Sequence, residues 1–211
     1  MTGGRPGLMA AARQRLLLGW LDAAQNSLSE PRARVLVSAL QPPANAAPAR
    51  RRQLLVDVSV ISRGDAGTGI QRVVRALLLQ LLKAPPPGFD VRPIESSRWH
   101  RYRHAPASFS AGLGQAAGFA SGRRLEAGPG DVYLGLDLAT YDVIRRYRQF
   151  NRWKMAGVKF VFVVHDLLPA SHPEWFSRKA VQAFRGWIRN VAIYADGALC
   201  VSRAVRDELS I

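Results

Sequence analysis

Hydrophobic positions change period several times along this chain, and each change marks an element. "QLLVDVSVI" (53–61) is a β-rich apolar run and predicts a strand. After the loop "SRGDAGTG" (62–69), Ile70, Val73, Val74, Leu77, Leu78 and Leu81 recur at three- and four-residue spacing. That spacing predicts a helix with one buried face. "APPPG" (84–88) stops it, because proline cannot continue a helix. "FDVRPI" (89–94) predicts a short strand, and residues 95–130, rich in Ser, Gly, Arg and His, a long irregular excursion. "DVYLGL" (131–136) reads as another strand. Residues 140–155 predict a helix with Val143, Ile144, Tyr147 and Phe150 inward and Arg145, Arg148 and Arg152 on the opposite face. "VKFVFVV" (158–164) is apolar on both faces, as a central parallel strand covered by helices must be. A helix over 174–194 runs through Ala180, Val181, Phe184, Ile188 and Val191. "GALCV" (197–201) is the last strand, and Ser202 is placed to cap a further helix.

Strands alternating with helices at this spacing predict an α/β fold: a single Rossmann-like, doubly wound, mainly parallel sheet with helices on both faces and right-handed crossovers. Residues 53–211 make that domain. Residues 1–52 differ. Residues 8–28 read as a basic amphipathic helix with Leu8, Ala12, Leu16, Trp20 and Leu21 near one side, closed by Pro31. "QPPANAAPARRR" (41–52) reads as a Pro/Ala linker ending in arginines. Such a helix suits either a membrane surface or packing on the domain as an addition.

Charge changes the picture more than composition does. Of 211 residues, 30 are basic and 15 acidic, a net charge of +15, and only four of the basic residues are lysine. A field of that sign attracts polyanions: nucleic acid, anionic membranes or phosphorylated substrates. Ala, Arg, Gly and Pro also rise together in GC-rich coding, which accounts for part of the excess without removing its physical effect. No recognition-helix motif or aromatic-interleaved basic strand is present, which ranks nucleic acid lowest among the partners. Cys200 is the one cysteine, so no intramolecular disulfide forms, and its apolar surroundings read as core. No stretch of about 18 apolar residues suggests a membrane span.

In open α/β sheets ligands bind at the carboxyl ends of the strands, where strand order reverses. That rule selects the loop after residue 61, Asp137 after "DVYLGL", and His165 with Asp166 after "VKFVFVV". Gly64 and Gly69 carry the outer spacing of a P-loop, but Ile70 and Gln71 stand where Lys and Ser/Thr are needed. Gly67, Thr68 and Gly69 begin a dinucleotide fingerprint that fails at Arg72. The Arg63-Gly64-Asp65 tripeptide has no extracellular context. What remains is a glycine-rich approach to a helix N-terminus, favourable to an anion or oxygen-rich ligand, with Arg72 within reach of a phosphate; a plain strand-to-helix turn is the competing reading. His165 leaves a buried strand where an imidazole can exchange hydrogen bonds with sugar hydroxyls. Asp166 either caps local backbone or orients that histidine. His172 and Glu174 match no zinc spacing, and no metal is expected.

"GTGIQRVVRALL", "VHDLLPASHPEWF" and "ADGALCVSRAVRDEL", in that order, resemble the N-terminal half of GT-B glycosyltransferases. More narrowly, they resemble the retaining family 1/family 4 group that includes bacterial polysaccharide mannosyltransferases. The resemblance covers about residues 53–211. It implies one half of a GT-B architecture that mainly receives the acceptor, with a nucleotide-sugar donor, a glycan or lipid-linked acceptor and no metal cofactor. It implies that Gly67 and Gly69 face the interdomain cleft, that His165 contacts the transferred sugar, and that Ser202 and Arg203 line the cleft. It further implies a cytoplasmic protein with peripheral contact at the inner membrane face, for which Arg145, Arg148 and Arg152 are suited. No donor-binding domain with a carboxylate pair is found in these residues. The expectation is therefore a fragment, a truncated frame or half of a split enzyme, inactive alone. The alternative is a non-catalytic Rossmann-like module that docks a partner protein or an anionic membrane.

Overall fold

The structure, a computed structural model, describes residues 51–113 and 125–209. The helix predicted over 8–28 and nearly all of the 41–52 linker lie outside the described residues, as does the centre of the 95–130 excursion.

Six strands form one sheet in the order β3-β2-β1-β4-β5-β6, and only β2 and β3 run antiparallel. The strands are β1 (Arg52–Asp57), β2 (Phe89–Glu95), β3 (Arg103–His104), β4 (Val132–Gly135), β5 (Lys159–Val164) and β6 (Gly197–Cys200). Helices α1 (Gly69–Lys83), α2 (Ala107–Gly112), α3 (Thr140–Ile144), α4 (Tyr147–Met155), α5 (Leu168–Ser171), α6 (Arg178–Tyr194) and α7 (Arg203–Leu209) connect or follow them. A 3₁₀ turn, Pro173–Trp175, lies between α5 and α6. Among the described residues no helix is long and apolar enough to cross a membrane.

Alternation along each strand divides the core between the two faces. Leu54, Val56, Val132, Leu134, Val161 and Val163 face α1, which buries Val74, Leu78 and Leu81 against them. Leu55, Tyr133, Phe160, Phe162 and Val164 face the other way, onto Phe150 and Trp153 of α4 and Phe184, Trp187 and Val191 of α6. That second layer is aromatic: Tyr133 and Phe150 lie 5.0 Å apart by ring centroid, and Phe150 meets Phe160 edge-on at 4.9 Å. Gly135 is required there. A Cβ at that position would stand 2.6 Å from the Phe162 ring.

Four expectations change. The first strand ends at Asp57, not Ile61, because side-chain carboxylates draw residues 59–61 into a turn. The helix predicted over 140–155 is two helices. Arg145 and Arg146 donate back three residues, to the Asp142 and Val143 carbonyls at 3.1 and 3.0 Å, which overwinds the chain and ends α3. Tyr147 is consequently 48% exposed rather than inward. The helix predicted from 174 begins at Arg178, where the Ser177 hydroxyl accepts the Ala180 N–H at 3.2 Å. Val73, expected on the buried stripe of α1, is 38% exposed.

Candidate functional site

From β1 the chain crosses to β2 on one side of the sheet, and β4 returns on the other side of β1. The carboxyl ends of β1 and β4 therefore flank a topological switch point, where an open α/β sheet forms its crevice. Three loops meet there: 58–68, 136–139 and 165–167.

Asp137 ties the first two together. Its Oδ2 accepts the N–H groups of Val60 and Ile61, each at 2.8 Å, and its Oδ1 accepts that of Leu138 at 2.9 Å. The carboxylate is 2% exposed, and burial raises its pKa against those three bonds. Asp137 was expected to contact a ligand; in the fold it first holds the turn after β1, whose N–H groups occupy its acceptors.

His165 lies across the same junction. Its Nε2 is 2.8 Å from the Leu136 carbonyl oxygen. A carbonyl only accepts, so Nε2 carries the proton and Nδ1 the lone pair. Burial lowers the pKa of the ring, opposed by the Leu136 bond and by Asp137 and Asp166. His165 is 6% exposed and neutral near neutrality, an oriented acceptor for a ligand hydroxyl. Asp166 accepts the Leu168 N–H at 3.2 Å and opens α5.

The glycine loop is ordered by one side chain. Gln71, buried on the first turn of α1, accepts from the backbone of Ala66 at 2.8 Å and of Thr68 at 3.3 Å through Oε1, and its Nε2 donates to the Gly64 carbonyl at 2.9 Å. Thr68 Oγ1 in turn accepts the Gln71 N–H at 3.3 Å, completing a capping box. The box leaves the N–H groups of Gly69 and Ile70 with no intrahelical partner. Gly67 has φ +67°, which favours glycine, and Gly69 has open space where a Cβ would stand. Arg72 is exposed, with Nε 3.1 Å from the Gly67 carbonyl. Arg63 and Asp65 are both engaged within the fold, Arg63 with Asp142 at 2.7 Å and Asp65 with Arg75.

A second buried carboxylate lies beneath the crevice. Asp57, fully buried at the end of β1, accepts from Ser59 N–H (2.9 Å), Ser59 Oγ (2.5 Å), Tyr102 OH (2.5 Å) and Tyr133 OH (2.8 Å). Burial pushes its carboxyl up to about 6 despite the Ser59 and Tyr102 bonds, with Asp137 adding to the rise. Burial and the Asp57 charge hold both tyrosines well above their ordinary values, so both hydroxyls donate. Ser59 Oγ also accepts the Ser96 N–H at 2.8 Å, joining the loops after β1 and β2.

Of the candidates read from sequence, the structure brings Asp137, His165 and Asp166 together at the switch point. Gly67 and Thr68 close the adjoining loop, and Gly69 and Arg72 lie on the first turn of α1. Ser202 and Arg203 lie farther along the edge, at the β6–α7 junction, where Ser202 Oγ caps the Val205 N–H at 3.2 Å. Arg148 and Arg152 share an exposed face of α4, while Arg145 belongs to the turn before it. His172 stacks on Trp175 at 4.1 Å and meets Glu174 at 3.2 Å. Among the described residues no group of three or more His, Cys, Asp or Glu side chains is arranged to hold a metal ion. Sequence reading missed Asp57, Ser59, Tyr102, Tyr133 and Gln71. A lone carboxylate inside "LLVDVSV" was the available signal for the first of these.

No protein-family model matches the chain. Over 158 residues, 75% of its length, it is 34% identical to a protein of Escherichia coli named serotype-specific mannosyltransferase WbdA. A second protein of that name and organism matches equally, and a third at 33%. In each case the match spans 19% of the relative's length.

Proposed function

We propose that this chain serves in sugar transfer for polysaccharide synthesis, as the acceptor-side wall of a GT-B-type cleft. The donor is a nucleotide sugar, and the acceptor is a glycan or lipid-linked saccharide. The observation that supports this most is the likeness to the mannosyltransferases over three quarters of the chain. The geometry at the switch point agrees with it chemically. A neutral imidazole with a fixed tautomer presents one acceptor, Nδ1, to a hydroxyl.

In this reading His165 orients a sugar hydroxyl beside the reacting carbon, and Asp137 holds the loop that forms the wall opposite. Gly67, Thr68 and Gly69 let a ligand approach the unpaired N–H groups of α1, and Arg72 supplies positive charge to a phosphate there. Asp166 sets the turn that carries His165. Ser202 and Arg203 extend the wall along the sheet edge. The Arg148 and Arg152 face lies against anionic lipid in a peripheral contact on the cytoplasmic side.

Two measurements on the 211-residue chain test the proposal. The first is saturation transfer from protein to a panel of mannose and other hexose oligosaccharides. The second is sugar transfer to the same saccharides from a panel of nucleotide sugars. Binding of mannose oligosaccharides that falls in His165→Ala supports the acceptor-side assignment. Transfer in addition supports the whole reaction. Absence of binding to every saccharide overturns the proposal.

A further inference from the structure

The segment after β2 is docked on the start of α4. Tyr102 N–H donates to Gln149 Oε1 at 3.0 Å, Gln149 Nε2 donates back to the Tyr102 carbonyl at 3.4 Å, and Arg146 donates to the Ser97 carbonyl. A turn closed by the Ser97 N–H on the His100 carbonyl presents Trp99 outward. This docking gathers Arg101, Arg145 and Arg146. Burial lowers the pKa of Arg146, Tyr102 and Asp142 oppose that shift, and Arg101 and Arg145 add to it by repulsion.

Among the described residues, Asp142 is the one carboxylate whose charge acts on Arg146, and it does not pair with the cluster. Asp142 is committed to Arg63 at 2.7 Å, and no carboxylate lies within ion-pair distance of Arg101, Arg145 or Arg146 among the described residues. Arg146 Nε is buried without a hydrogen-bond partner. Arg146 is also the N-cap of α4 and makes no side-chain cap, so the positive end of that helix adds to the field. Trp99, two residues before Arg101 in the same turn, is 80% exposed, with the Arg98 guanidinium 4.0 Å from its ring centroid. Like charges held together by side chain–backbone bonds, with the Arg101 and Arg145 side chains exposed, suit an oxyanion, and guanidinium geometry matches phosphate.

We propose that Arg101, Arg145 and Arg146 form a binding site for a phosphate or pyrophosphate group at the carboxyl rim of the sheet, with Trp99 contacting the apolar moiety that carries it. The site goes beyond the sugar-transfer reading and does not depend on it. The phosphate belongs either to a soluble ligand or to a lipid headgroup, and the two sources separate experimentally.

Inorganic pyrophosphate is titrated into the 211-residue chain by calorimetry at constant ionic strength. In parallel, the chain is sedimented with vesicles of phosphatidylglycerol and phosphatidylcholine or of phosphatidylcholine alone. The test variant is Arg101→Gln/Arg145→Gln. The control, Arg185→Gln/Arg189→Gln, removes the same charge from exposed positions on α6. Circular dichroism checks that both fold. Losing two charge-assisted contacts is expected to weaken pyrophosphate binding about tenfold or more in the test variant, with the control unchanged. That result supports the site with a soluble source. Binding only to the phosphatidylglycerol vesicles, lost in the test variant and kept in the control, supports it with a lipid headgroup. Binding of neither probe, or equal losses in the two variants, overturns the site.

Discussion

Replacing Asp57 with asparagine should change how stability depends on pH, in a direction opposite to that of an ordinary hydrogen-bonded carboxylate. The folded protein holds the Asp57 proton up to about pH 6, against 3.8 for an unperturbed carboxyl, chiefly because the group is fully buried. A folded-state pKa above the unfolded value means that the native state binds the proton more tightly. Its contribution is therefore fully present below the unfolded pKa and is lost as pH rises through the folded one. At 1.36 kcal/mol per pH unit the whole loss is about 3 kcal/mol, and about 2 kcal/mol of it falls between pH 4.5 and 7.5. Urea unfolding of wild type and Asp57→Asn across that range measures it. Bonds lost to the Ser59, Tyr102 and Tyr133 donors set an offset between the two proteins, and the preference of those donors for the charged carboxyl is already contained in the folded value of about 6. Every other titrating residue is present in both. The difference, wild type minus variant, should fall by about 2 kcal/mol as pH rises from 4.5 to 7.5. A flat difference, or one that grows with pH, refutes the view that burial outweighs the four donors around Asp57.

His165 should show the opposite sign: its lowered pKa removes stability as pH falls below its ordinary value of 6.5, and proton NMR should find its titration midpoint below that pH. Gln71→Ala removes three loop bonds, one of them half of a capping box, so it should destabilise by about 2 kcal/mol and speed amide exchange at Ala66 and Thr68; unchanged exchange would show that the loop is ordered by something else. Gly135→Ala should cost about 1–3 kcal/mol in thermal unfolding, because its Cβ meets the Phe162 ring inside a filled aromatic layer.

The fold was legible because its strands and helices carry their own periods. "VKFVFVV" announces a strand buried on both faces by composition alone, and the structure places it between β4 and β6. What failed was the ends of elements. Residues 58–61 are as apolar as the strand before them, so no local pattern separates them from it. They turn because Asp57 and Asp137 capture their N–H groups, and Asp137 lies 76 residues from Ile61. The break at Arg145 is equally silent in sequence, since Val143 and Phe150 keep a helical spacing across it.

The site divides along the same line. His165 and Asp137 could be found because each directly follows a strand, and the rule that ligands gather at carboxyl ends needs only that position. Tyr102 could not. It belongs to an excursion with no period, and its hydroxyl reaches Asp57 across 45 residues of chain. A buried carboxylate needs donors, and "LLVDVSV" states the need without saying who meets it. Of the four donors, two come from Ser59 next door and two from tyrosines on other elements. The requirement was thus written locally and its solution is tertiary. That asymmetry has a mechanical consequence: the same carboxylate that ends β1 also pins the loop after β2 through Tyr102 and through Ser59 to Ser96. Arg101 lies on that loop between Ser96 and Tyr102, so these two hydrogen bonds hold it at the rim, while Tyr133 ties the same carboxylate to β4.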